Sequence, residues 1–122
     1  MSKGLENLKI YQMAEELEIG VYRILKNFPK EEKYTSVDQI KRSSAAVSNN
    51  IAEGYVRHSY QEKIRYLYIA KGEAEETKRN IIRSGKKELL DQSVANELAD
   101  KYTGLLKAIS GYIKFLKEQL SV

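Results

Sequence analysis

Apolar side chains recur every three or four residues through most of this 122-residue chain. That spacing places them on one face of an α-helix, and no stretch shows the sustained two-residue alternation of a half-buried strand. A single proline, Pro29, leaves room for long uninterrupted helices. The pattern therefore predicts an all-α fold.

Four amphipathic helices are predicted, over residues 5–27, 36–54, 60–84 and 91–120. Their short connections favour antiparallel neighbours, so the expected architecture is an antiparallel up-down-up-down four-helix bundle. No internal repeat and no linker rich in Gly, Pro or Ser divides the chain, which indicates one domain over residues 1–122. The mean hydropathy of −0.55 and the lack of any 18-residue apolar stretch predict a soluble, cytoplasmic protein without a membrane span.

Turn and cap residues suggest where the helices begin and end. Ser59 lies three residues before a glutamate, and Ser36 three before a glutamine, which is capping-box spacing; Thr35 is a competing cap for the second helix. Gly54 and Gly85 are expected to close their helices in the left-handed conformation. Asp91 is the expected cap of the last helix.

The composition excludes several kinds of chemistry. The chain has no cysteine and one histidine, His58, so disulfides, thiol nucleophiles and multi-histidine metal centres are ruled out. His58 is interpreted as an exposed turn residue, and Glu53 as the ion-pair partner of Arg42 or Arg57. No glycine-rich phosphate loop is present. We expect a protein that is not an enzyme, with no catalytic residues, metal, cofactor or small-molecule substrate.

Positive charge is concentrated in one segment. Residues 57–87 hold nine Lys or Arg and four Asp or Glu, a net charge of +5, whereas residues 1–56 are neutral and residues 88–122 carry −1. Phosphates attract such a basic helix, and Tyr66 or Tyr68 could stack on an unpaired base. The candidate nucleic-acid-binding residues are Arg65, Lys71, Lys78, Arg79, Arg83 and Lys86. The alternative is a solvated helix face, with Glu75 paired to Arg79.

Tyrosine is the other unusual feature, with nine residues in the chain. Several lie off the predicted core stripes; Tyr66 and Tyr68, for example, are about 200° apart on a helix. Such side chains suit a protein interface, so a homo-oligomer is expected; packing against lysine stems is the alternative.

Four stretches of the sequence resemble a known family. They are residues 28–34 (FPKEEKY), 38–44 (DQIKRSS), 50–55 (NIAEGY) and 67–72 (LYIAKG). In these runs the chain is similar to the bacterial 23S rRNA intervening-sequence proteins, which are four-helix bundles. It departs from them at residues 46–48, which read Ala-Val-Ser where the family often has Ser-Ile-Pro, and at Glu73 and Thr77.

That resemblance implies a further set of expectations. The family is similar to the accessory proteins of diversity-generating retroelements, which assemble as pentameric barrels and bind nucleic acid. The expected function is therefore a non-enzymatic, self-assembling helical protein that binds RNA or DNA through the third predicted helix. The rival interpretation is a structural or protein-interaction module with no nucleic-acid role.

Overall fold

The computed structural model describes residues 4–120 and is helical throughout its regular structure. The five α-helices are α1 (Gly4–Asn7), α2 (Lys9–Leu25), α3 (Ser36–Tyr55), α4 (Tyr60–Lys86) and α5 (Gln92–Leu120), with a 3₁₀ turn at Lys30–Glu32. No strand occurs within residues 4–120, which confirms the all-α prediction. The expected single domain includes residues 1–3 and 121–122, which lie outside the described range.

The four long helices share one hydrophobic core. α3 packs on α4, α4 on α5, and α2 on both α3 and α5. The stripe predicted for α3 is confirmed at Ile40, Val47 and Ile51, none of which is more than 1% exposed. Because α4 lies between α3 and α5, its two flanks are in helix contacts and its third side faces solvent.

The first predicted helix is interrupted. Leu8 has an extended backbone, with φ −74° and ψ 118°, and separates α1 from α2. The stripe then continues on α2, where Ile10, absent from the predicted stripe, is buried together with Ala14 and Leu17. α2 ends at Leu25, two residues before the predicted end, and the chain turns before Pro29.

The two glycines expected to end helices, Gly54 and Gly85, instead lie where two helices pack closely together. Neither Gly54 nor Gly85 has a positive φ; both lie inside their helices and are buried. A Cβ on Gly54 would lie 3.0 Å from the Cβ of Tyr66, and one on Gly85 would lie 2.8 Å from the Cβ of Ala95. The predicted C-caps were wrong, because these positions are glycine so that neighbouring helices can approach closely. Glu88, with φ 63°, takes the left-handed position after α4.

Side-chain caps agree in part with the sequence. Ser59 accepts a hydrogen bond from the amide of Glu62, and Asp91 accepts from both the amide and hydroxyl of Ser93, so both predicted caps are confirmed. The Ser93 bonds lower the pKa of Asp91. The box predicted at Ser36 does not form; Thr35 is the N-cap residue and makes no side-chain capping bond.

The carboxylate of Glu32, in the 3₁₀ turn before α3, binds residues at the start of α3 in place of the predicted capping box at Ser36. Glu32 accepts hydrogen bonds from the hydroxyls of Ser36, at 2.7 Å, and Thr35, at 3.0 Å. These bonds lower the pKa of Glu32. A negative charge is favourable at a helix N-terminus. The Glu32 carboxylate stabilises the start of α3 only when it is ionised. Its contribution to the free energy of unfolding is therefore fully present above the usual pKa of glutamate, and it is lost as the pH falls through the lowered pKa of Glu32.

The contact between α3 and α4 contains a small polar pair. Ser43 and Thr77 are 2% and 0% exposed, and their hydroxyl oxygens are 2.7 Å apart. Thr77 donates to the carbonyl of Glu73, so Ser43 is the donor to Thr77. The small serines of α3 are buried, as expected for close helix packing, and the pair satisfies two hydroxyls that would otherwise be costly to bury.

Candidate nucleic-acid interface

The six candidate basic residues lie on α4 but do not form one surface. Arg65, Arg79, Arg83 and Lys86 are exposed on the side that faces solvent, whereas Lys71 and Lys78 are half-buried on the flank of the helix. Positions seven residues apart stay on one face of a helix, which explains why Arg65, Arg79 and Lys86 remain together. The spacing predicts Lys71 and Lys78 as a line beside that face, and the structure places this line on the flank of α4.

The C-terminal half of this outer, solvent-facing side of α4 holds three of its four cations, Arg79, Arg83 and Lys86. Arg79, Arg83 and Lys86 form no ion pair with any carboxylate within residues 4–120. The expected Glu75–Arg79 pair is therefore not formed. Arg83 instead donates to the side-chain oxygen of Asn80 at 2.8 Å, which holds the guanidinium in place without neutralising it.

Arg65 differs from these three residues. Its guanidinium lies 3.2 Å from Glu62, and that hydrogen bond raises the pKa of Arg65. It also lies 4.6 Å from the ring centroid of Tyr66, with Arg57 at 4.7 Å from the same ring. The Tyr66 hydroxyl accepts from Arg57. Both ring and cation already have partners, so Arg65 and Tyr66 are poorer candidates for a ligand than the residues further along α4.

Sequence reasoning missed a cation at the end of this face. Lys87 follows α4 and, with Arg83, lines a small polar cleft against the start of α3. The cleft also includes Ser36, Gln39 and Asn80, which bring hydroxyl and amide groups next to the two cations. Lys87 lay inside the basic segment of the sequence, so its charge was visible, but its place beside Arg83 depends on how the helix ends. We call Arg79, Arg83, Lys86 and Lys87 the outer basic face.

The two residues singled out beside the connection between α3 and α4 have ordinary structural roles. Glu53 lies 2.7 Å from Arg57, which is one of its two predicted partners; Arg42 pairs with Asp38 instead. His58 is exposed in the connection, as predicted. Within residues 4–120, no group of three or more His, Cys, Asp or Glu side chains is placed to hold a metal ion. No helix in that range is both long and apolar enough to cross a membrane.

The family assignment rests on the sequence comparison. The profile of the 23S rRNA-intervening sequence protein family matches residues 6–111, most of the chain. The chain belongs to this family. A comparison with curated proteins gave no match. This membership confirms the resemblance in residues 28–72, and it names no activity and no binding partner.

A solved structure from the same kind of protein supports the fold. The chain is similar to a crystal structure described as a protein of unknown function from the S23 ribosomal protein family of Bacteroides thetaiotaomicron. The two chains share 24% identity and superpose with a TM-score of 0.80, over 86% of this chain and 98% of the other. At 24% identity this likeness establishes the fold alone. The function of the outer basic face has to be argued from the chemistry of its own residues.

Proposed function

We propose that this protein binds nucleic acid through the outer basic face of α4. The observation that supports the proposal is the presence of three exposed cations, Arg79, Arg83 and Lys86, without carboxylate partners, next to Lys87. Ordinary helix surfaces pair opposite charges at a spacing of four residues, and Glu75 was available to Arg79 for that purpose. Lys87 lies near enough to Glu32 for its charge to act on that carboxylate. Phosphates would supply anions for the other three cations, and their binding releases counterions from the nucleic acid.

Charge reversal tests this proposal. The Arg79→Glu/Arg83→Glu variant should bind a DNA duplex about 10- to 100-fold more weakly, because two phosphate contacts become repulsive. The slope of log affinity against log salt should fall by about 2. Fluorescence anisotropy at several salt concentrations measures both quantities. Glutamate is a good helix former, so helicity in circular dichroism should be retained.

A matched control separates local charge from net charge. Lys9 and Lys101 are exposed on α2 and α5, and their replacement by Glu changes the charge by the same −4 per chain. This control should weaken binding far less than the α4 variant. Equal losses in the two variants would contradict the proposed face, and absence of binding by the unaltered protein would favour the protein-interaction module instead.

We also propose that the four long helices run up-down-up-down and that the chain self-associates. The helix contacts close a ring from α2 through α3, α4 and α5 back to α2. Exposed apolar side chains on three of these helices, Tyr22 and Phe115 at 50% and Ile69 at 38%, support self-association, although Lys26 and Lys41 already lie against the ring of Tyr22. A pentamer is the assembly that the resemblance to retroelement accessory proteins suggests.

Light scattering tests the assembly. A particle mass several times the 14.0 kDa of one chain is expected at micromolar concentration, and a mass of one chain would contradict self-association. A ring-shaped oligomer would repeat the outer basic face of each chain around its symmetry axis, and this would strengthen the positive field that phosphates meet. We further propose that the protein is cytoplasmic and that it acts by binding and not by catalysis.

A further inference from the structure

A groove runs between α4 and α5, on the flank of α4 that holds Lys71. Its volume is about 210 Å³, below the roughly 300–1,000 Å³ of pockets that enclose small molecules. It is partly open to solvent, so a ligand in it would be only partly enclosed. The lining residues are Tyr68 and Lys71 from α4, and Ser110, Ile113, Lys114 and Lys117 from α5.

The groove is strongly basic. Three of its six lining residues are lysines and none is acidic. Lys78 lies seven residues after Lys71 on α4, and Lys107 seven before Lys114 on α5, so each of these faces continues with a further cation. Phosphates spaced along a strand could meet several of these cations in succession.

The charge of the segment from residue 88 to residue 122, which contains α5, is divided along its length in a way that the net value conceals. Residues 88–100 hold four acidic and no basic residues, whereas residues 101–118 hold four lysines and one glutamate. The segment from 88 to 122 therefore carries only −1 in total, although its second half is basic. The fold places that second half beside Lys71, which joins two basic regions that are far apart in the sequence.

An aromatic ring stands in the wall of the groove. Tyr68 is 46% exposed, and its hydroxyl accepts a hydrogen bond of 2.7 Å from Lys117. The ammonium group of Lys117 lies 5.2 Å from the ring centroid. Tyr66, by contrast, is half-buried with two guanidinium groups against its ring. Tyr68 also has a cation, Lys117, against its ring, but it is more exposed than Tyr66 and therefore presents more ring surface, beside Lys71 and Lys114.

We infer that this groove binds a single-stranded segment of nucleic acid, with one unpaired base stacked on Tyr68 and the neighbouring phosphates against Lys71, Lys114 and Lys117. Aromatic side chains in a basic groove are the general means by which proteins hold single strands. A base inside a duplex is stacked on its neighbours and does not reach the ring. The inference rests on the proposed nucleic-acid function and assigns single strands to the groove, whose α4 residues lie nearer the start of α4 than the outer basic face does.

The decisive experiment compares two substitutions of one residue. Affinity is measured by fluorescence anisotropy for a short labelled oligothymidylate and for a DNA duplex of equal length. Tyr68→Ala should weaken single-strand binding by about 5- to 150-fold, the usual range for loss of one stacked base, and leave duplex binding unchanged. Tyr68→Phe keeps the ring and loses the bond to Lys117, so it should bind the single strand as the unaltered protein does.

A second pair of variants tests the lysines. Lys114→Gln/Lys117→Gln should reduce the salt dependence of single-strand binding by about 1.4 in slope, because about 0.7 counterion is released per phosphate contact on a single strand. The matched control is Lys9→Gln/Lys101→Gln, which removes the same charge from exposed positions outside the groove. The control should leave the slope unchanged within error.

The outcomes separate the groove from the outer basic face. Unchanged single-strand binding in Tyr68→Ala, with duplex binding still lost in Arg79→Glu/Arg83→Glu, would overturn the groove and leave the proposed function standing. Equal losses in Tyr68→Ala and Tyr68→Phe would overturn base stacking, because the hydroxyl rather than the ring would then be responsible. If the unaltered protein bound neither the single strand nor the duplex, both proposals would be overturned.

Discussion

The contact between α4 and α5 has two ends that differ in packing and in charge. At the end that we call tight, Gly85 lies against Ala95, and both are buried. At the open end, Tyr68 and Lys71 face Lys114 and Lys117 across a groove. Small side chains let two helix backbones approach closely, whereas long charged side chains pack their stems against the surface and keep their heads in water.

This difference assigns two tasks to one pair of helices. The tight end buries backbone and small side chains, and its integrity should therefore control the free energy of unfolding. At the open end the apolar side chains, such as Ile113, are buried as well, but Lys114 and Lys117 are exposed. These lysines can therefore be exchanged at small cost to the fold. The acidic stretch 88–100 and the basic stretch 101–118 follow the same division.

The largest effect on stability is expected at the tight end. Gly85→Ala places a methyl group 2.8 Å from the Cβ of Ala95, so one helix must shift. Overpacking of this kind costs about 1–3 kcal/mol in the free energy of unfolding, measured by urea denaturation. Gly72→Ala is the matched control, since no atom lies within 4 Å of its added Cβ. The control should gain about 0.5–1 kcal/mol, because alanine favours a helix over glycine. A stabilised Gly85→Ala variant would remove the distinction between the two ends.

A smaller loss is expected on the opposite flank of α4, midway between these ends. Thr77→Val removes the acceptor for the Ser43 hydroxyl, which is left with only a long contact of 3.4 Å to the carbonyl of Ile40. Burying a hydroxyl without a good partner should cost about 1–2 kcal/mol in the free energy of unfolding. Adding Ser43→Ala removes the unpaired group and should recover part of the loss. Additive losses in the double variant would show that the two hydroxyls do not depend on each other.

The smallest effect on stability is expected at the open end. Lys114→Gln/Lys117→Gln changes exposed side chains, so the free energy of unfolding should move by no more than about 0.5 kcal/mol. The same variant should lose salt-dependent affinity for single strands. Urea denaturation and anisotropy on one preparation make the comparison. A loss of stability as large as that of Gly85→Ala would mean that the lysines support the helix contact, and the division of tasks would fail.

The sequence determined the helices and most of the core by itself. A period of three to four residues identified Ile40, Val47 and Ile51 as one buried face, and the local chemistry of Ser59 and Asp91 identified two helix starts. These predictions succeeded because both signals act within a few residues of the chain. The concentration of basic residues in 57–87 was equally plain. The family resemblance in residues 28–72 was confirmed by the match over residues 6–111.

Only the tertiary structure decided which helix faces meet. Gly54 and Gly85 have the local pattern of helix ends, yet they are glycine because Tyr66 and Ala95 approach them from other helices. Lys71 was predicted to act with Arg79, but its position on the flank places it beside Lys114 and Lys117, more than forty residues away in the sequence. Helix periodicity is a short-range property, and it fixes the direction of a side chain relative to its own axis. The neighbours that this side chain meets depend on how the helices pack around the shared core, which no local pattern specifies.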